Sequence, residues 1–274
     1  MTESLESPQG TGASGRSQWP AVRTITLGDL LEVFAAGLGD FRRAPLYGLA
    51  LGAIYALGGW LLVLLLLYAD LPFLVYPLAA GFALVAPFVA TGFYAVSFCL
   101  ERGEPVSWSA VRRLVGQAAR RDLGWMALVT GFSFFIWMDI AALLFFGFLG
   151  LSALSAENLI AEILTTPAGL LFLLVGNAVG AVIALAVFSF SVTSFPMLFE
   201  RDCDFVTAMV TSVRVVLASP RVMVVWCALI AGLVGISLLS GFVGLFVVLP
   251  ILGHASWHLY RRCVPAAEES GVEG

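Results

Sequence analysis

Four stretches of this chain carry no charge, and a fifth carries a single Asp, each for longer than a helix needs to cross a bilayer. They run Leu46–Ala69, Leu71–Leu100, Leu123–Ala156 (the one with the Asp), Ile163–Phe199 and Val222–Tyr260. A hydrocarbon core about 30 Å thick is spanned by roughly 20 apolar residues in a helix. Soluble chains carry about a quarter charged residues; this one carries 12%, is 60% hydrophobic and has a mean hydropathy of +0.98. Lipid offers the backbone no hydrogen bonds, so long apolar runs resolve as helices that satisfy themselves. The expected fold class is therefore all-α, a polytopic membrane helix bundle.

The net charge of −4 hides an uneven distribution of sign. All 14 basic residues are Arg, and they occupy alternate loops. Arg16, Arg23, Arg42 and Arg43 precede the first apolar run, and the boundary at Tyr68–Pro72 has none. Arg102, Arg112, Arg113, Arg120 and Arg121 fill the next boundary, and the segment around Glu157 and Glu162 again has none. Arg201, Arg214 and Arg221 follow, and Arg261 and Arg262 close the last run. Short cytoplasmic loops are enriched in Lys and Arg, so the reading is N-in and C-in across a bacterial inner membrane. The 39 residues of Val222–Tyr260 are too many for one pass at about 1.5 Å per residue. Two passes with a turn near Ser237–Gly241 keep Arg261 and Arg262 inside. The count is then about six spans: 46–69, 73–99, 123–150, 167–195, 221–238 and 241–260. Residues 1–24 and 264–274, polar and rich in Gly, Ser or Glu, read as disordered cytoplasmic tails around a membrane domain at 25–263.

Three Arg-side windows share a helical period with one apolar face. Leu27–Phe41 sets Leu27, Leu30, Leu31, Phe34, Leu38 and Phe41 against Asp29, Glu32 and Asp40. Trp108–Arg121 sets Trp108, Val111, Val115 and Ala118 against Arg112, Arg113, Gln117 and Arg120. Phe205–Leu217 sets Phe205, Met209, Val213 and Val216 against Thr207, Thr211 and Arg214. Each is followed by a break and a hairpin of apolar runs. The plan read from this is three units, each an interfacial amphipathic helix plus a transmembrane hairpin. Arg42, Arg43, Arg112, Arg113, Arg120, Arg121, Arg261 and Arg262 are the expected contacts to lipid headgroups.

Three motifs carry a resemblance. Gly37-Leu-Gly-Asp-Phe-Arg-Arg-Ala-Pro45, Ser194-Phe-Pro-Met-Leu-Phe-Glu-Arg-Asp202 running into Thr207–Val213, and Leu252-Gly-His-Ala-Ser-Trp-His258 resemble a bacterial family of integral membrane proteins catalogued as domain of unknown function 2189. The resemblance extends over about 25–263. It brings no activity with it, although some family members carry a label of cytochrome c oxidase subunit. The catalytic subunit of such an oxidase ligates two haems and a copper, mostly through intramembrane His. This chain has two His, which cannot build that centre.

The remaining chemistry is sparse. Asp139 lies 18 residues from both Arg121 and Glu157, which places it near mid-membrane. An ionised carboxylate costs at least ~2.5 kcal/mol there, so it is neutral, paired or facing a wet cavity. It reads either as a proton or ion relay, or as a neutral carboxyl bonded through Ser133, Asn177 or a backbone carbonyl. Asn177 sits among Gly176, Gly180 and Ala181, a close-packing face across which its amide bonds. His254 and His258 stand at i and i+4, within ligating reach of one metal or haem, with no Cys or carboxylate nearby in sequence to complete a set. Cys99, Cys203, Cys227 and Cys263 read as small buried hydrophobes. The sequence has no phosphate-binding Gly loop, no nucleophile elbow and no paired carboxylates at catalytic spacing. The reading leans away from an enzyme and calls for no cofactor and no bound metal. Its partners are membrane lipid, other membrane proteins or further copies of itself, and not nucleic acid. It is read as a non-enzymatic scaffold or membrane-homeostasis protein. A small transporter using Asp139 and Asn177, or an accessory subunit of a respiratory complex, are the alternatives.

Overall fold

A computed structural model of the chain describes residues 19–68, 88–120, 122–151 and 159–265. Among them the regular structure is helical throughout: α1 (Leu27–Arg43), α2 (Pro45–Tyr68), α3 (Phe88–Glu101), α4 (Trp108–Ala119), α5 (Leu123–Leu149), α6 (Leu159–Thr165), α7 (Pro167–Ser191), α8 (Ser194–Glu200), α9 (Phe205–Ala218), α10 (Pro220–Leu239) and α11 (Leu245–Cys263).

Local chemistry explains the starts. Thr26 and Asp29 form a reciprocal capping box at α1, with the Thr26 N–H 2.7 Å from Asp29 Oδ2. Ser107 caps α4 through the Ala110 N–H, and Asp204 caps α9 through the Thr207 N–H. Thr166 caps α7 ahead of Pro167, where Pro at the first helical position loses no hydrogen bond. All three amphipathic windows are helical, and each runs into a long apolar helix: α1 into α2, α4 into α5, α9 into α10.

Among the described residues, four helical stretches are long and apolar enough to cross a membrane: Pro45–Leu65, Leu123–Leu149, Pro167–Glu200 and Pro220–Leu239. The expected span at 73–99 falls partly outside the described residues, which show its last part as the shorter apolar helix α3. The expected span at 241–260 corresponds to α11, which follows α10 through a turn with Gly241 and Phe242 at φ 67°. α11 carries Pro250, two His and two Arg, and it is not among the four.

α11 is the centre of the packing. It lies against α1 and α2 and touches α8 and α10. At Gly37 of α1 an added Cβ would sit 2.6 Å from the Ala255 nitrogen and 2.8 Å from the Ile251 oxygen. Only glycine lets these two backbones approach so closely. Trp257, at the heart of α11, is ringed by Tyr94, Phe98, Phe199 and Tyr260 at centroid distances of 5.7–6.5 Å. Residues 20–25 lie along this body: the Arg23 N–H reaches the Cys263 carbonyl, the Ile25 N–H reaches Ser219 Oγ, and the Pro20 carbonyl accepts from Arg214.

Two helix faces differ from those read off the periodicity. In α1 the buried positions are Leu30, Val33, Gly37 and Asp40, while Leu27 and Leu31 are exposed. Asp40 therefore belongs to the inner face, because α11 offers it a histidine. In α9 the buried positions are Ala208, Thr211, Ser212, Val215 and Val216. Thr211 turns inward because its hydroxyl is satisfied locally by the Thr207 carbonyl, leaving its methyl free to pack.

Candidate functional site: a polar hub around α11

The three motifs meet on one helix. Asp40 from the first is 4% exposed, and its Oδ2 lies 2.7 Å from His258 Nε2. Ser97 of α3 and His254 are both fully buried, with Ser97 Oγ 2.9 Å from His254 Nδ1. Burial pushes the Asp40 carboxyl up, but hydrogen bonds from His258 and Ser97 outweigh it and hold the group below the usual carboxylate range. His254 Nε2 is buried without a hydrogen-bond partner among the described residues. The ring meets Phe93 edge-on at 5.7 Å, and the Phe93 main chain lies near it without reaching bonding geometry at that nitrogen.

A second layer surrounds this pair. Arg261 donates to Glu101 Oε1 of α3 (3.0 and 2.9 Å) and to Glu200 Oε1 of α8 (2.9 Å). Trp257 Nε1 donates to the other Glu101 oxygen at 3.0 Å. The Tyr260 hydroxyl donates to Glu200 Oε2 at 2.6 Å and accepts from Arg201 Nε at 2.8 Å. Arg201 also reaches the carbonyls of Val264 and Pro265. Arg262 pairs with Asp29 and Glu32 of α1. Hydrogen bonds from Thr26 already hold the Asp29 carboxyl below its ordinary value, and Arg262 adds to them.

Chemically the hub is a clamp. Hydrogen-bonded ion pairs tie α1, α3 and α8 to α11, and two N–H groups of Arg261 converge on one Glu101 oxygen while Trp257 holds the other. His254 and His258, read from sequence as one possible ligand pair, each have one ring nitrogen engaged by Ser97 or Asp40. No three His, Cys, Asp or Glu side chains among the described residues converge as metal ligands. Arg261 and Arg262 are held by carboxylates, whereas Arg42, Arg43, Arg112, Arg113 and Arg120 are exposed. Arg121 lies outside the described residues.

Asp139 and Asn177 lie elsewhere, on the α5–α7 hairpin, and both are exposed. Neither expected partner reaches Asp139: Ser133 Oγ donates to the Val129 carbonyl (2.8 Å) and Asn177 Nδ2 to the Leu173 carbonyl (2.7 Å). Asn177 lines a groove of about 560 Å³ between the two helices, with Trp137, Ala141, Gly176 and Gly180. Sequence reasoning missed Asp40, Ser97, Glu101, Glu200 and Tyr260 as site residues. Asp40, between Gly39 and Phe41, and Glu200, after Met197-Leu198-Phe199, stand inside those motifs, and a lone carboxylate beside apolar neighbours was the signal available.

Residues 75–200 match a family described as predicted integral membrane proteins, DUF2189. That stretch is narrower than 25–263 and holds Ser97, Glu101 and Glu200 of the hub and both Asp139 and Asn177. No curated protein and no solved structure matches the chain.

Proposed function

We propose, for a chain whose middle matches a family of predicted integral membrane proteins, that it is a non-enzymatic organiser of other membrane proteins, acting by lateral association within the bilayer. The observation that carries this reading is the position of Asp139 on an outward, apolar face of α5. A charged carboxylate facing lipid costs at least ~2.5 kcal/mol, and pairing with a group on another chain relieves that cost. A transporter would gather its polar groups around an enclosed route; here Asp139 and Asn177 occupy different faces of one hairpin. The hub supports the same reading by fixing the hairpins to a common base.

The test is affinity purification of the full chain in mild detergent, with identification of what accompanies it. Stoichiometric recovery of other membrane proteins supports the reading, and recovery of the chain alone sinks it. The orientation we propose is N-in and C-in in a bacterial inner membrane, supported by the segregation of every Arg. Reporter fusions at Arg113, Asp204 and Gly274 should register the cytoplasm, and fusions at Asp70, Glu157 and Leu239 the periplasm. A periplasmic signal at Gly274 would break it.

A further inference from the structure

The outward face of α5 is a continuous stripe of large side chains. Phe132 is 64% exposed, Ile136 42%, Leu143 71% and Phe146 40%. Helical spacing puts these residues, with Asp139 in their midst, opposite the positions that face α7. The groove beside Asn177 is the converse, floored by Gly176, Gly180, Ala181 and Ala184. Bulk on one surface and hollow on the other are the two halves of a close helix contact.

Depth makes the match specific. Copies of a chain in one membrane share an orientation, so two side chains on different copies meet only at the same depth. Asp139 lies ten residues before the end of α5 at Leu149, and Asn177 lies ten residues after the start of α7 at Pro167. At 1.5 Å per residue each is about 15 Å from the end of its helix that meets the α5–α7 connection. The two groups are also complementary. A carboxyl accepts in either protonation state, and an amide both donates and accepts. Asn177 directs one N–H to the Leu173 carbonyl and retains Oδ1 and a second N–H.

We propose that a second copy of this chain docks its α5 stripe into the α5–α7 groove, Asp139 of one copy hydrogen-bonding Asn177 of the other. The proposal rests on the lateral-association reading and gives it a partner. A lipid acyl chain could fill the groove but has nothing to offer Asp139. A foreign helix carrying a basic group would satisfy Asp139 but has no stated need of Asn177. This chain supplies both halves at one depth.

The experiment counts copies of the full-length, fluorescently tagged chain by single-molecule photobleaching in nanodiscs of native lipid. Wild type should show more than one step. Asp139→Leu and Asn177→Leu should each weaken association roughly tenfold. Asp139→Asn should retain it, as should the exchange Asp139→Asn with Asn177→Asp. Because both side chains are exposed in the single chain, all variants should melt close to wild type, which separates lost association from lost fold. Single steps for wild type overturn the proposal, as does an oligomer indifferent to both Leu variants. Single steps with other membrane proteins still co-purifying overturn this inference and leave the organiser reading standing. An oligomer that responds as expected but recovers no other protein does the reverse.

Discussion

The hub and the α5–α7 hairpin use similar apolar residues in opposite ways. Around α11, Trp226, Trp257 and Tyr260 are fully buried. Along α5, Trp125 is 59% exposed and Phe132 64% exposed, and the single buried residue of α7 is Gly169. A soluble protein could not leave such a hairpin bare, because water would drive its faces together. Lipid exerts no such drive, so helices pack only where small residues, shape or polar groups hold them. The hub has these in Gly37, the Asp40–His258 contact and the Arg261 pairs. In the hairpin Gly180 lies against Trp137 of α5, but Asn177 and Asp139 are exposed and Gly176 has open space beside it. Apolarity places a helix in the membrane, and contacts of this other kind decide what it touches.

The contrast can be broken most severely at Trp257. Trp257→Ala should destabilise the detergent-solubilised protein by about 3–5 kcal/mol, read as a thermal melt. Phe132→Ala, on the hairpin's outer face, should fall within about 0.5 kcal/mol of wild type. Comparable losses at both positions would show that the hairpin is packed in the single chain after all.

Next in size is the polar core. Asp40→Ala removes the carboxylate partner of the His258 ring, while Ser97 keeps His254, and should cost about 1–3 kcal/mol. Gly37→Ala drives a methyl into the α11 backbone and should cost a similar about 1–3 kcal/mol. Its counterpart Gly176→Ala, where nothing lies within 4 Å of the added methyl, should change stability by no more than about 0.5 kcal/mol. A harmless Gly37→Ala would refute the close α1–α11 crossing.

The smallest effect concerns acid. Asp40 is held below the usual carboxylate range in the folded protein, so its contribution is present above the unfolded value of about 3.9 and is lost as pH falls through the folded value. The melting temperature should therefore show an Asp40-dependent decline only below about pH 4. Asp40→Asn should remove part of that decline, leaving the share from Asp29 and Asp204, whose carboxyls are lowered by Thr26 and Thr207 respectively. An unchanged acid profile in Asp40→Asn would mean that the carboxylate contributes nothing to the clamp.

Much of the local structure was legible in the residues. The start of α7 at Thr166-Pro167 follows from a Pro suited to the first helical turn, while the caps at Thr26, Ser107 and Asp204 came with the structure. The helical windows Leu27–Phe41, Trp108–Arg121 and Phe205–Leu217 follow from period, and the turn after α10 from length together with the position of Arg261 and Arg262. The site was less legible. His254 and His258 were visible as a pair on one face, but the partners that engage them, Ser97 and Asp40, stand 157 and 218 residues away in sequence. Asp40 was assigned to the solvent face because a carboxylate is polar, and nothing local announced a histidine opposite.

By itself, then, the sequence determined that this is a chain of membrane helices and where most of the long ones begin and end. Those properties depend on hydrophobic length, capping and a fixed 3.6-residue period, all of them local. The tertiary structure alone decided that α11 is the hub, that Asp40 is buried against it, and that Asp139 looks outward. Periodicity fixes the angle between two residues on a helix but not the direction of either. In lipid both the core and the surroundings are apolar, so only the close fit of glycines and the pairing of distant charges set that direction.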